Sequence, residues 1–250
     1  MFWRKNKKHV YYAAWTSYSW DQGEIILSQA HTLIAGSTGC GKSTLIHKLL
    51  WNITSRTPND RQMILVDMKA GVELGRYAKL PHTIRFARSA EEALSALDYA
   101  VSIMSARLDE MYAAGVTLYE GADVYVVIDE MGFLLQSLGQ DALRRLILIS
   151  QQGRAAKVHL LLATQNPSKQ GIPAAIQQNM TCLIGMKCRD AIQSRQIIGM
   201  AGCESLPEHG TAYVVIGSQT YTLTIVPESD ETYQERIDYW SDPKKYTVYM

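Results

Sequence analysis

Long apolar runs are missing from this 250-residue chain. No stretch approaches the roughly 18 residues that cross a bilayer. No membrane helix is therefore expected, and a machine working at a membrane would have to be held there by another protein. The start, MFWRKNKKHVYY, is basic but has neither an apolar h-region nor a cleavage site, so it does not read as a secretory leader. The four cysteines (Cys40, Cys182, Cys188, Cys203) form no CxxC pair and no His/Cys ligand spacing. The simple reading is a reduced, cytoplasmic chain. Net charge is only +1. No global basic field announces a nucleic-acid binder, and any DNA contact must come from local clusters. There is no internal repeat and no low-complexity linker. What remains, 47% hydrophobic and 20% charged, suits one large domain with small appendages and a full core. The basic cluster Arg4, Lys5, Lys7 and Lys8 reads as a solvated terminus, with a nucleic-acid or partner contact as its other use.

The most informative segment that is present runs HTLIAGSTGCGKST over residues 31–44. Gly36-Ser37-Thr38-Gly39-Cys40-Gly41-Lys42-Ser43 fits the phosphate-binding pattern G-x-x-x-x-G-K-[ST] at every required position. An apolar strand leads in and a helix-like run from Thr44 leads out. The glycines let backbone N–H groups turn inward as a concave row, and the helix N-terminus adds its positive dipole end. Lys42 is expected to reach the β/γ-phosphates and Ser43 to hold Mg²⁺. Residues 36–44 are thus the expected ATP cradle. Cys40 has two readings. A thiol at a helix N-terminus can ionise easily and open the loop to alkylation, or any small residue simply fits there.

The rest of the chain alternates strands and helices, which predicts an α/β fold with a mostly parallel sheet and helices on both faces. Val10–Ser19 reads as a strand of a small N-terminal appendage and Glu24–Leu27 as another short strand. Gln62–Asp67 (QMILVD), Val124–Asp129 (VYVVID), Val158–Thr164 (VHLLLAT) and Thr181–Met186 read as buried strands. Thr211–Ile216 and Tyr221–Ile225 read as a closing hairpin through Gly217-Ser218. The spacing of Ala93, Leu94, Leu97, Ala100, Val101, Met104, Leu108, Met111 and Tyr112 predicts a helix over 90–113, most of whose stripe is core. A last helix is expected over 231–240.

Phosphate loops are shared by kinases, GTPases and motors, and the strand VYVVID narrows the choice. Asp129 stands where an acid orients Mg²⁺ through water, and Glu130 where a carboxylate polarises the attacking water. Gln165 follows the strand VHLLLAT, where an amide can hydrogen-bond the γ-phosphate or that water. A strand, QMILVD, lies between the phosphate loop and the acid-terminated strand. Together these describe the additional-strand, catalytic-glutamate branch of P-loop ATPases.

Five blocks, GSTGCGKS, VDMKAGVELGRYAKLPH, VVIDEM, GRAAKVHLLLATQNPS and QSRQIIGMAGCESL, resemble in that order the motor domains of the FtsK/SpoIIIE family. Asp67-Met68-Lys69 with Glu73-Leu74 and Pro81-His82 looks like that family's second-strand signature. The resemblance covers about residues 25 to 226. It implies a RecA-like core working as a hexameric ring, with ATP and Mg²⁺ driving double-stranded DNA through the pore. On it, Lys42 and Ser43 are the Walker-A pair, Asp129 and Glu130 the Walker-B pair, and Gln165 the polar sensor. Arg154 matches an arginine that related ring motors place at the neighbouring subunit's nucleotide, and Arg195 is second in line for such a role. The DNA-facing loops correspond to Asn166–Gln170 and Lys187–Ala191, which puts Asn166, Lys169, Lys187 and Arg189 toward phosphates without sequence reading. The family usually carries arginine at Asn166 and a small-small-lysine run at Arg189-Asp190-Ala191, so the pore chemistry is altered.

The implied organisation is a short appendage (1–24), the ATPase domain (25–228) and a C-terminal helix and tail (229–250). With no membrane domain before the core and no winged-helix module after it, the expectation is a stand-alone motor like those of mobile elements, serving transfer or DNA segregation and recruited by a protein at a membrane or DNA-processing complex. The alternatives are a related ring ATPase that moves protein and a viral or phage genome-packaging ATPase.

Overall fold

In the computed structural model, residues 12–15, 20–168, 170–227 and 229–242 are described. They build one nine-stranded sheet in the order β1-β9-β8-β7-β2-β6-β5-β3-β4. The strands are β1 (Tyr12–Trp15), β2 (His31–Ala35), β3 (Arg61–Val66), β4 (Thr83–Ala87), β5 (Asp123–Ile128), β6 (Val158–Thr164), β7 (Cys182–Met186), β8 (Thr211–Ile216) and β9 (Gln219–Thr224). The five central strands β7, β2, β6, β5 and β3 pair in parallel. Parallel strands covered on both faces read as continuous apolar runs, and β2 and β6 are buried at every position. β8 and β9 are antiparallel and joined through Gly217-Ser218, as the hairpin reading requires.

Helices cover both faces. On one lie α1 (Trp20–Leu27), α2 (Lys42–Ile53) and α8 (Asp230–Ser241). Their apolar residues pack with the sheet side chains Ile34, Met63, Leu65, Val127 and Leu161. The other face carries α3 (Ala90–Ala114), α4 (Met131–Leu138), α5 (Gln140–Gln152), α6 (Ala174–Gln177) and α7 (Ala191–Ile198). Its core alternates with the first, through Leu33, Ile64, Val66, Val126 and Leu162. That alternation is the period of two of a strand.

α3 starts where Ser89 Oγ accepts from Glu92 N and stops at Gly115 in a left-handed conformation. Its buried stripe is Ala93, Ala96, Leu97, Ala100, Met104 and Met111. Tyr112, expected in that stripe, is 91% exposed, because it falls on the outer side of the last turn. α8 straps the end of α2. Trp240 Nε1 donates to Thr54 O at 2.7 Å, and the Arg236 guanidinium lies 4.1 Å from the Trp51 ring centre.

One expectation needs correction, and two features of the sheet add to the reading. Glu24–Leu27 is the end of helix α1, not a strand; a four-residue apolar run alone does not separate the two. β4 was not anticipated, since its half-exposed sequence TIRFA hides an edge strand. In the sheet, the strand that intervenes between β2 and β5 is β6, whereas Gln62–Asp67 lies on the far side of β5. The N-terminal strand joins the main sheet as an edge, parallel to β9.

Candidate nucleotide and hydrolysis site

The carboxyl ends of β3, β5, β6, β2 and β7 gather the site, because in-register parallel pairing aligns the ends of neighbouring strands. Ala35 is level with both Thr164 and Gly185, and Ile128 with both Leu162 and Val66. Whatever follows each strand therefore meets its neighbours.

After β2 the chain turns tightly against β7. Ser37 N donates to Lys187 O at 2.8 Å. A Cβ at Gly36 would lie 2.9 Å from Cys40 Sγ and from Met186 Cβ, so only glycine fits. Gly41, at φ 104, opens α2 without a side-chain cap, which leaves the first-turn N–H groups to an anion. Lys42 is nearly buried, and its Nζ donates to Gly36 O (2.7 Å) and Ser37 O (2.9 Å). Burial lowers its pKa, with the Cys40 and Glu130 charges acting the other way. Cys40 is itself buried, which pushes its thiol up. Of its two readings, the small space-filling residue is the one this geometry supports. From the outside, His209 Nδ1 donates to Gly39 O at 2.6 Å.

β5 delivers the acid pair. Asp129 is 4% exposed. Its Oδ1 accepts from Met68 N at 2.9 Å, and its Oδ2 has no hydrogen-bond partner. Desolvation pushes its pKa up to about 6, while the Met68 N–H pulls it down. Glu130 is spanned by donors. Oε1 accepts from Thr164 Oγ1 (2.8 Å), Gln165 N (3.2 Å) and Gly132 N (3.3 Å), and Oε2 accepts from Gln165 N (2.9 Å). The Gly132 contact caps α4. On the other side, Gln165 Oε1 accepts from Thr38 Oγ1 at 2.7 Å, tying the end of β6 to the phosphate loop.

Lys42, Ser43, Asp129 and Gln165 line one cavity together with His47, Lys69 and Glu73. Its lining suits the phosphates of a nucleotide. The backbone donors and Lys42 suit phosphate, while the orphaned oxygen of Asp129, in the cavity that Ser43 also lines, suits a divalent cation such as Mg²⁺, which needs few protein ligands and keeps waters. Sequence reasoning left Lys69 and Glu73 without a role; only their place in the Asp-x-Lys signature marked them.

The other expected residues lie elsewhere. Arg154 precedes β6 at its amino end. The seven residues of that strand separate it from Gln165 by about 20 Å or more. It is exposed and has no carboxylate partner among the described residues. Arg195 is exposed on α7, its NH1 3.4 Å from Ala191 O. Arg189 is 78% exposed in its side chain and pairs with Asp190 at 3.0 Å. Asn166 is exposed at the end of β6, its N–H donating to Thr164 Oγ1. Lys187 is drawn down onto the loop before β8, donating to Glu204 O (3.0 Å) and pairing with Glu208 (3.6 Å). Lys169 lies outside the described residues.

Among the described residues, no helix is long and apolar enough to cross a membrane. The FtsK/SpoIIIE family model matches residues 16–134. A DNA translocase FtsK of Staphylococcus epidermidis is 31% identical over 238 residues, covering 86% of this chain and 30% of that protein. The DNA translocase FtsK of Streptomyces avermitilis is 33% identical over 201 residues, covering 70% of this chain and 22% of that protein. The chain thus spans less than a third of the length of these relatives. Among solved structures, the pCW3 conjugation coupling protein TcpA superposes with a TM-score of 0.75 at 22% identity, covering 85% of this chain and 65% of that one. The type VII secretion ATPase EccC of Thermomonospora curvata superposes at 0.70 with 24% identity, covering 84% of this chain and 28% of that one. At these identities the superpositions establish the P-loop ATPase fold.

Proposed function

This chain belongs to the FtsK/SpoIIIE family, and from that premise we propose that it is an ATP-driven translocase of double-stranded DNA, working as a ring in mobile-element transfer or DNA segregation. The observation that carries the hydrolytic part is the convergence of Lys42, Asp129, Glu130 and Gln165 at one carboxyl edge of the sheet. A binding-only switch needs neither the second acid nor the amide bridge to the phosphate loop. The DNA part rests on the named relatives, which are DNA translocases.

In this reading Lys42 exchanges its two carbonyl contacts for phosphate oxygens. Mg²⁺, held by Ser43 and Asp129, would neutralise charge on the β- and γ-phosphates. Glu130 keeps Oε1 anchored and turns Oε2 to orient and deprotonate the attacking water. Gln165 senses the γ-phosphate through the contact it now makes with Thr38. Arg154 reaches a neighbour's nucleotide, not its own, and couples the subunits around the ring. Asn166, Arg189 and the Lys187 segment stand on the same edge of the sheet as Lys42 and Gln165, so a change at Gln165 reaches the expected DNA loop within one residue.

The test is ATP turnover with and without duplex DNA, together with the mass of the assembly in the presence of an ATP analogue and DNA. We expect DNA to raise the rate and a ring to form. Glu130→Gln should retain nucleotide while losing roughly 10²-fold or more in rate. Equal rates with and without DNA sink the translocase reading, and a monomer under all conditions sinks the ring.

A further inference from the structure

The turn after β3 is built around a buried carboxylate. Asp67 is fully buried, its Oδ1 accepting from Lys69 N (2.9 Å) and its Oδ2 from Glu73 N (2.9 Å) and Leu74 N (2.7 Å). The turn includes Ala70 at φ 60, a left-handed conformation that costs a non-glycine residue about 1 kcal/mol. This scaffold serves two side chains. Lys69 Nζ lies 3.0 Å from Glu73 Oε1 and 3.9 Å from Asp129 Oδ2, the buried oxygen that lacks a hydrogen-bond partner. Ser43 lines the same cavity. One ammonium therefore stands between Asp129 and Glu73 in the cavity that Ser43 shares with them. Asp129 and Ser43 are the residues that would hold Mg²⁺.

We propose that Lys69 is the resident cation of this metal site: its ammonium balances Asp129 and Glu73 while no metal is bound, and swings off Asp129 when the metal-bound triphosphate enters. The inference rests on the nucleotide reading of the cavity. Its physical basis is simple. A buried carboxylate without a countercharge is costly, and a protein that must wait between nucleotides needs a cation there that is easily displaced. Lys69 meets both needs. It is held only by a partly exposed ion pair to Glu73 and a long contact to Asp129, and it has a flexible stem. The Asp-x-Lys spacing follows: the aspartate folds the turn, and the lysine two residues on reaches from the end of β3 to the end of its neighbour β5.

The experiment measures affinity for a non-hydrolysable ATP analogue with Mn²⁺ and with chelator, in the full chain and in Lys69→Met, which keeps the stem and removes the charge. The ratio of the two affinities isolates the metal. We expect that ratio to rise about three- to fivefold in the variant, the scale of a partly exposed ion pair. An unchanged ratio overturns the proposal. A loss of affinity equal in both conditions does so too, because it makes Lys69 a phosphate ligand. Lysine side-chain NMR of the unaltered chain, with the Lys69 signal assigned by its loss in Lys69→Arg, gives a second reading that needs no neutral variant to fold. The signal should move with Mg²⁺ and analogue together and stay with analogue alone. Movement with analogue alone, or no movement in either condition, overturns the proposal. If the analogue does not bind at all, the nucleotide reading itself falls and takes this inference with it.

Discussion

The Thr164 hydroxyl donates a 2.8 Å hydrogen bond to Glu130 Oε1, joining the end of β6 to the acid that follows β5. The contact follows from register. Ile128 lies opposite Leu162, so two further residues on each chain bring Glu130 level with Thr164. Thr164 is fully buried, and its Oγ1 also accepts from Asn166 N at 3.1 Å. One hydroxyl thus links the Glu130 carboxylate to the first residue of the expected DNA loop.

Removing that hydroxyl should loosen Glu130 without emptying the cavity. Thr164→Val keeps the β-branched shape that suits a strand. We expect kcat for ATP to fall about tenfold through lost orientation, with KM unchanged. Thr164→Ser should restore most of the rate, which a purely structural role for the methyl group would not allow. A valine variant with unaltered kcat would show that the three remaining donor contacts are enough.

Acid should weaken the fold through two histidines that have no place in the chemistry. His31 and His82 are both buried, and burial brings each pKa down from 6.5 to about 4. His31 Nδ1 accepts from Leu160 N, which requires the neutral ring, and burial with no partner for Nδ1 keeps His82 neutral against the opposing pull of its Nε2–H bond to Arg56 O. The unfolded chain takes up protons below about pH 6.5 and the folded chain does not. This stability is therefore complete above 6.5 and drains away as pH falls toward 4, by up to about 3 kcal/mol for each ring. Urea denaturation between pH 7 and 4.5 measures it. His82→Phe should flatten the slope by about half, and an unchanged slope removes His82 from the account.

The residues that proved readable in the sequence were those whose signal is local. The phosphate loop is one unbroken motif, and β5 and β6 are apolar runs that end in Asp129 and at Thr164-Gln165. Their convergence was not local. Nothing in chain order shows that β6 inserts between β2 and β5, yet that insertion is what places Gln165 against Thr38 and Thr164 against Glu130. Lys69 was visible only as part of a signature for the same reason: its distance to Asp129 exists because β3 pairs with β5. Short or half-exposed elements such as β4 and α7 carry too few buried positions for a period to emerge.

The two cations after β7 should behave differently, although sequence alone treats them alike. Arg189 is solvated and paired only with its neighbour Asp190, whereas Lys187 is tied to Glu204 O and Glu208 beside the phosphate loop. Arg189→Ala should weaken duplex DNA binding across all sequences and reduce the salt slope by about one. Lys187→Ala should leave that slope nearly intact and act on ATP affinity, because it removes the side-chain tethers to Glu204 and Glu208 from the segment whose backbone carbonyl accepts from Ser37 N. Titrations of duplex DNA at several salt concentrations separate the two, and equal slopes for both variants contradict the assignment.

Arg154 offers the sharpest test of assembly. It lies at the amino end of β6, about 20 Å or more from its own Gln165, too far to touch the phosphate bound by its own chain. If it completes a neighbour's site, Arg154→Ala and Glu130→Gln should each abolish turnover, and mixing the two should bring some back. An Arg154→Ala subunit keeps an intact Glu130, and a Glu130→Gln neighbour can supply the missing guanidinium. Random mixing in a head-to-tail ring gives such a pairing at about a quarter of the interfaces. We expect the mixture to recover up to that fraction of the normal rate, less if the ring fires in strict sequence. A structural arginine acting within its own chain gives no such rescue. Turnover that stays at background after subunits have been shown to exchange would assign Arg154 to the fold and leave Arg195 as the candidate for the trans role.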